Sequence, residues 1–223
     1  MRTRTAFYSF SKLALVEEAP IVARVAMVCN DLAIANDAMG HYKNLPDNAL
    51  SHIRQGGALY FTRISCGHLR EGVRAIQDIR TNTRLTAQVE KCDSAAQTAF
   101  AALCECIAGG KDYADFRRYV MSIRDKASFH YDGTNIETAL VHRNRHHWNS
   151  ICAMTIGETV HSCRFDFADV ILDTIVCRDL WAIPMSADAR FEADRIADWC
   201  FTKSVQFLDF GGEFVARFLQ QHC

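Results

Sequence analysis

The sequence is poor in the residues that break helices. Eleven glycines and three prolines make up about 6% of the 223 positions, half of average usage. An all-β sandwich or barrel needs a turn every 8–12 residues or so, and this chain has too few turn formers for one. A disordered or linker-rich chain is excluded from the other side, because 49% of the residues are hydrophobic. There is no excess charge of one sign either: 25 Lys and Arg face 26 Asp and Glu. A dedicated non-specific nucleic-acid binder usually carries a basic surplus, so contact with a polyanion would have to be local. No run of eighteen uncharged apolar residues stands out, which leads to the expectation of no membrane-spanning segment. The basic N-terminus MRTRTAFYSFSKLALVEEAP is interrupted too early by Ser, Lys and Glu for a signal peptide. The ten cysteines contain no CxxC pair, Cys104 and Cys106 being the nearest neighbours. Scattered spacing in a chain of this size fits reduced, buried thiols better than a disulfide framework or zinc site, and cytoplasm is the expected compartment. Phosphate loops, dinucleotide fingerprints and Gly-x-Ser-x-Gly elbows are all missing.

What is present is helical periodicity. Val22, Val25, Cys29 and Leu32 follow Pro20 on one stripe, with Gly40 as the expected stop. A long helical stretch is expected from Ala49 to Val89, with Cys66, Leu69, Val73 and Ile76 inward. Asp93 opens a shorter helix through Phe100 and Leu103, ended by Gly109-Gly110. Asp112 suits the N-cap of the next, where Phe116, Val120, Ile123, Ala127 and His130 share one stripe before Asp132-Gly133. Thr134 to Glu137 reads as a capping box for a helix to Arg145. Asp166 and Ser186 are the expected caps of two further helices, the last bent at Gly211-Gly212. The Thr-, Val- and Ile-rich stretch 151–164 predicts a small β-hairpin or loop. The expected fold is all-α: one domain over residues 1–223, a bundle of six or seven helices with that insert.

The window Arg124-Asp125-Lys126-Ala127-Ser128-Phe129-His130-Tyr131 carries the chemistry. Arg124 offers a planar cationic fork for a phosphate, and His130 exchanges a proton near neutral pH. Six positions apart, they project about 120° from one another around a helix. They meet on one ligand if the helix end distorts or pairs with a symmetry mate. A cation plus an imidazole is the minimum set for cleaving RNA without a metal. The same residues equally suit a packed histidine on the Ile123–Ala127 stripe and a surface arginine with a carboxylate partner.

An Arg, a polar residue after it and a His on a late bundle helix resemble the HEPN superfamily, helical nucleotide-binding domains of which many are metal-independent ribonucleases. Its motif places four to six residues between Arg and His, and five lie between Arg124 and His130. The resemblance covers about Asp112–Asp132. It implies a homodimer whose two Arg/His pairs form one cleft, and attack of the ribose 2′-OH on the adjacent phosphate. It further implies His130 as acid/base, Arg124 as the phosphate-stabilising group, Asp125 as its orienter, and a toxin or defence effector with an antitoxin or other protein partner. Some members have lost catalysis, so a non-catalytic binding or assembly module is the alternative. Lys126, Tyr131, Arg143 and Arg145 are the expected substrate contacts, in a segment from Lys111 to His147 holding seven basic against five acidic residues. No cofactor or metal is expected. His142 and His146 share a helix face but have no third ligand beside them, and His68 with Glu71 forms another acid/base-capable pair.

Overall fold

Among the described residues of the computed structural model, ten α-helical segments, two of them continued by π-helical turns, account for nearly all the regular structure. The structure describes residues 7–46, 51–127, 133–145, 154–155 and 164–222. They are α1 (Phe10–Leu13), α2 (Ala19–Lys43), α3 (Ser51–Thr81), α4 (Thr83–Val89), α5 (Ser94–Cys104), α6 (Tyr113–Phe116), α7 (Ser122–Lys126), α8 (Gly133–Arg145), α9 (Asp166–Thr174) and α10 (Ala189–His222). The chain is all-α in class. A π-helical turn, Arg117–Met121, joins α6 to α7, and a second, Ile175–Leu180, extends α9. Two-residue strands β1 (Met154–Thr155) and β2 (Arg164–Phe165) pair antiparallel, Met154 opposite Phe165.

α2 packs against α3, and α10 packs against both of them and α5. Helical spacing explains the core. Val22, Val25 and Leu32 of α2, and Cys66, Leu69, Val73 and Ile76 of α3, are buried as their stripes require. Phe116, Val120, Ile123 and Ala127 are buried along the α6–α7 rod. α10 contributes Ile196, Cys200, Phe207, Phe210 and Phe214, with the last two rings stacked at 5.0 Å. By length and composition alone α2 is apolar enough to cross a membrane, a test that a buried core helix passes as well. Its buried residues here face α3 and α10.

Several ends differ from the sequence expectation. α2 runs past Gly40 to Lys43. The expected rod from Ala49 to Val89 is two helices, because Asn82 turns extended and its side chain accepts from Leu85 N at 3.1 Å, capping α4. Asp93 caps α5 as its type predicts, accepting from Ala96 N at 2.8 Å. Asp112 makes no capping bond; its carboxylate accepts from the buried Lys203 at 2.7 Å instead. Asp188, not Ser186, caps α10, accepting from Arg190 N and Phe191 N. Asp166 is the first residue of α9, not its cap. α10 is unbroken at Gly211-Gly212. The first of these glycines is where α10 touches α2: a Cβ on it would stand 2.3 Å from Cys29 Sγ.

The π-helical turns are tied to each other. The i→i+5 pattern upsets the ordinary ladder, so its carbonyls need outside donors. Trp181 Nε1 donates to Tyr119 O at 3.2 Å, and Arg118 donates in return to the Trp181 and Ala182 carbonyls. Arg178 donates to Ile183 O and Pro184 O. These bonds hold a turn in which Ala182 adopts φ +52°, unusual for a residue with a side chain.

Candidate functional site

α7 is five residues long, too short to stand alone, and is positioned by α3. Ile123 and Ala127 bury its inner face. Two arginines of α3 fasten it. Arg63, only 2% exposed, donates to Ala127 O at the end of α7. One heptad later Arg70 Nη1 donates to Asp125 Oδ1 at 2.6 Å. Lone carbonyls and the negative end of a helix both favour a cation at that point, so Arg63 compensates groups the short helix cannot satisfy internally.

The sequence-predicted pair of neighbours, Arg124 and Asp125, sits on this scaffold. Arg124 Nη1 donates to Asp125 Oδ1 at 3.2 Å, the same oxygen that Arg70 uses. Its other terminal nitrogen lies 3.9 Å from Glu71 Oε1. Glu71 also accepts from Arg74 Nη1 at 3.3 Å. Asp125 therefore orients Arg124 from behind, and 44% of the Arg124 side chain faces solvent. A guanidinium oriented by one carboxylate and only loosely held by a second can exchange the second for a phosphate in its fork. Surface ion pairs of this kind are worth little in stability and are readily exchanged for another anion.

The remaining expected contacts are distributed. Lys126 is exposed and within electrostatic reach of Asp179. Arg143 is half-buried in α8 and donates from Nε to Thr174 Oγ1 at 2.9 Å, on the α9 side. Arg145 is the last residue of α8. His130 and Tyr131 lie outside the described residues, as does His146. His68 does not pair with Glu71; its Nδ1 is 3.2 Å from Asp31 Oδ2 of α2.

Arg63, Arg70 and Arg74 escaped sequence reasoning. The available signal was register: Arg63 and Arg70 occupy positions alongside the apolar stripe Cys66, Leu69, Val73, where a cation needs a partner. Among the described residues no group of three or more His, Cys, Asp and Glu side chains is placed to hold a metal ion. The seven described cysteines are free thiols. Burial pushes the Cys29 thiol up to about 11 and the Cys106 thiol up to about 12, so both are poor nucleophiles at neutral pH. Compared with protein-family models, curated proteins and solved structures, the chain matches none.

Proposed function

We propose that the chain is a metal-independent endoribonuclease of the HEPN type, acting as a homodimer in the manner of a toxin or defence effector with a protein partner. In this reading residues 1–223 are one HEPN-like bundle of six or seven helices, and the stretch near 151–164 is a small hairpin or loop insert. The supporting observation is the Arg70–Asp125–Arg124 relay, which presents a half-exposed, oriented guanidinium at the end of a helix anchored to α3. His130, as general base, takes the ribose 2′-OH proton. The freed oxygen attacks the adjacent phosphorus, and the P–O5′ bond breaks. An imidazolium, from the partner subunit's equivalent position or the same residue after it has taken the proton, protonates the leaving 5′-oxygen. Arg124 neutralises the crowded phosphorane. The products are a 2′,3′-cyclic phosphate and a 5′-hydroxyl.

RNA incubated with the protein in EDTA, beside an Arg124→Ala/His130→Ala variant, tests this. Loss of either group should slow cleavage by roughly 10²–10⁴-fold. Equal products from both proteins would refute the assignment. The second reading, a non-catalytic binding or assembly module, is favoured by the engagement of Arg124 with two carboxylates. It predicts no cleavage by the wild type and a large fall in melting temperature for His130→Ala.

A further inference from the structure

The glycines of α3 have different reasons to be there. A Cβ on Gly57 would stand 2.2 Å from the Tyr42 ring, and one on Gly72 would stand 2.7 Å from the Phe207 ring. Close packing requires both. A Cβ on Gly67 would meet no atom within 4 Å, so no neighbour requires a glycine there. Glycine inside a helix is unfavourable relative to alanine, and Gly67 therefore weakens α3 without a packing return. Of its four neighbours on the helix surface, Arg63 and Arg70 are cationic, Glu71 is acidic and Ile64 is apolar. At about 100° per residue, Arg63, Arg70 and Arg74 all project within about 60° of Gly67, and Glu71 lies on its other side. Arg124 reaches Glu71 from α7, beside this same face. Gly67 is itself half-buried, with open space where a side chain would stand. On this part of the surface Arg70, Arg74 and Arg124 are paired with two shared carboxylates, Asp125 and Glu71. Arg63 adds a buried positive charge one turn away.

We propose that the open helix face at Gly67 seats a phosphodiester of single-stranded RNA, with Arg70, Arg74 and Arg124 turning from their carboxylates to its non-bridging oxygens. This rests on the ribonuclease reading and extends it to three residues of α3. A bare helix face lets the phosphate approach closely, and the carboxylates keep the guanidiniums oriented until it arrives.

The test separates binding from cleavage by using a 2′-O-methyl oligoribonucleotide, which cannot be cut, with inorganic phosphate alone as a second ligand. Gly67→Ala should raise Tm by up to about 4 °C, since the added methyl strengthens the helix and touches nothing. Gly67→Leu should remain folded and weaken oligonucleotide binding at least tenfold, as should Arg74→Gln. A Gly67→Leu protein that binds within twofold of wild type overturns the seat. So does a wild type that binds phosphate but no oligonucleotide, or binds neither. Binding that depends on Gly67 and Arg74 without cleavage of ordinary RNA supports the seat and refutes the nuclease reading.

Discussion

Gly211→Ala is the sharpest probe of the interface between the first long helix and the last. The new methyl would stand 2.3 Å from Cys29 Sγ and 3.1 Å from Val25 Cγ1. A carbon–sulfur contact needs well over 3 Å, so either α2 and α10 separate or the thiol turns away. Overpacking of this sort costs about 1–3 kcal/mol. Alanine recovers about 0.5–1 kcal/mol of helix preference. The net loss of up to about 2.5 kcal/mol should lower Tm by up to about 10 °C in a domain of this size. Two companions make the inference specific. Gly212→Ala, whose methyl would meet nothing within 4 Å, should raise Tm. Cys29→Ala should relieve Gly211→Ala, with a favourable coupling of at least 0.5 kcal/mol in a double-mutant cycle. Thermal unfolding followed by circular dichroism compares the wild type, the three single variants and the double variant. A higher Tm for Gly211→Ala, or a coupling indistinguishable from zero, would refute the close approach of these helices.

Two further outcomes follow from the core. Lys203 is almost fully buried, 2.7 Å from Asp112 and over the Trp199 ring, so Lys203→Met strands a partly buried carboxylate. A loss of about 3 kcal/mol is expected in urea titration, and adding Asp112→Asn should restore most of it. The Cys29 and Cys106 thiols are raised by burial to about 11 and about 12 from an ordinary 9.0. A raised group gives stability that is fully present below its unfolded pKa and lost as pH climbs toward the folded value. The urea midpoint should therefore fall as pH rises above about 9, more steeply for wild type than for a Cys29→Ala/Cys106→Ala variant; parallel profiles would refute it.

The helical class and most of the core were legible because a 3.6-residue period leaves a repeating trace: Phe116, Val120, Ile123 and Ala127, the described members of their stripe, are all buried. What escaped depends on partners far away in sequence. Asp112 has the right type for a cap, but Lys203, ninety-one positions on, takes its carboxylate. Gly211 looks like a hinge until Cys29 is placed against it. The π-helical turns are a change of hydrogen-bond register that composition does not encode. At the candidate site, Arg124 and Asp125 could be read as neighbours. Arg70 could not, because its role exists only once α3 lies beneath α7.

The contact between α2 and α10 also sets a timetable. Val25 and Gly211 touch across 186 positions of chain. At a synthesis rate of about 5–20 residues per second, the α10 surface emerges roughly 10–40 s after the α2 surface it covers. During that interval α2 can pair with α3, but Val25 and Cys29 stay bare. Early folding of the N-terminal helices thus leaves an adhesive intermediate on the ribosome, one suited to capture by a holding chaperone and released only when the last helix arrives.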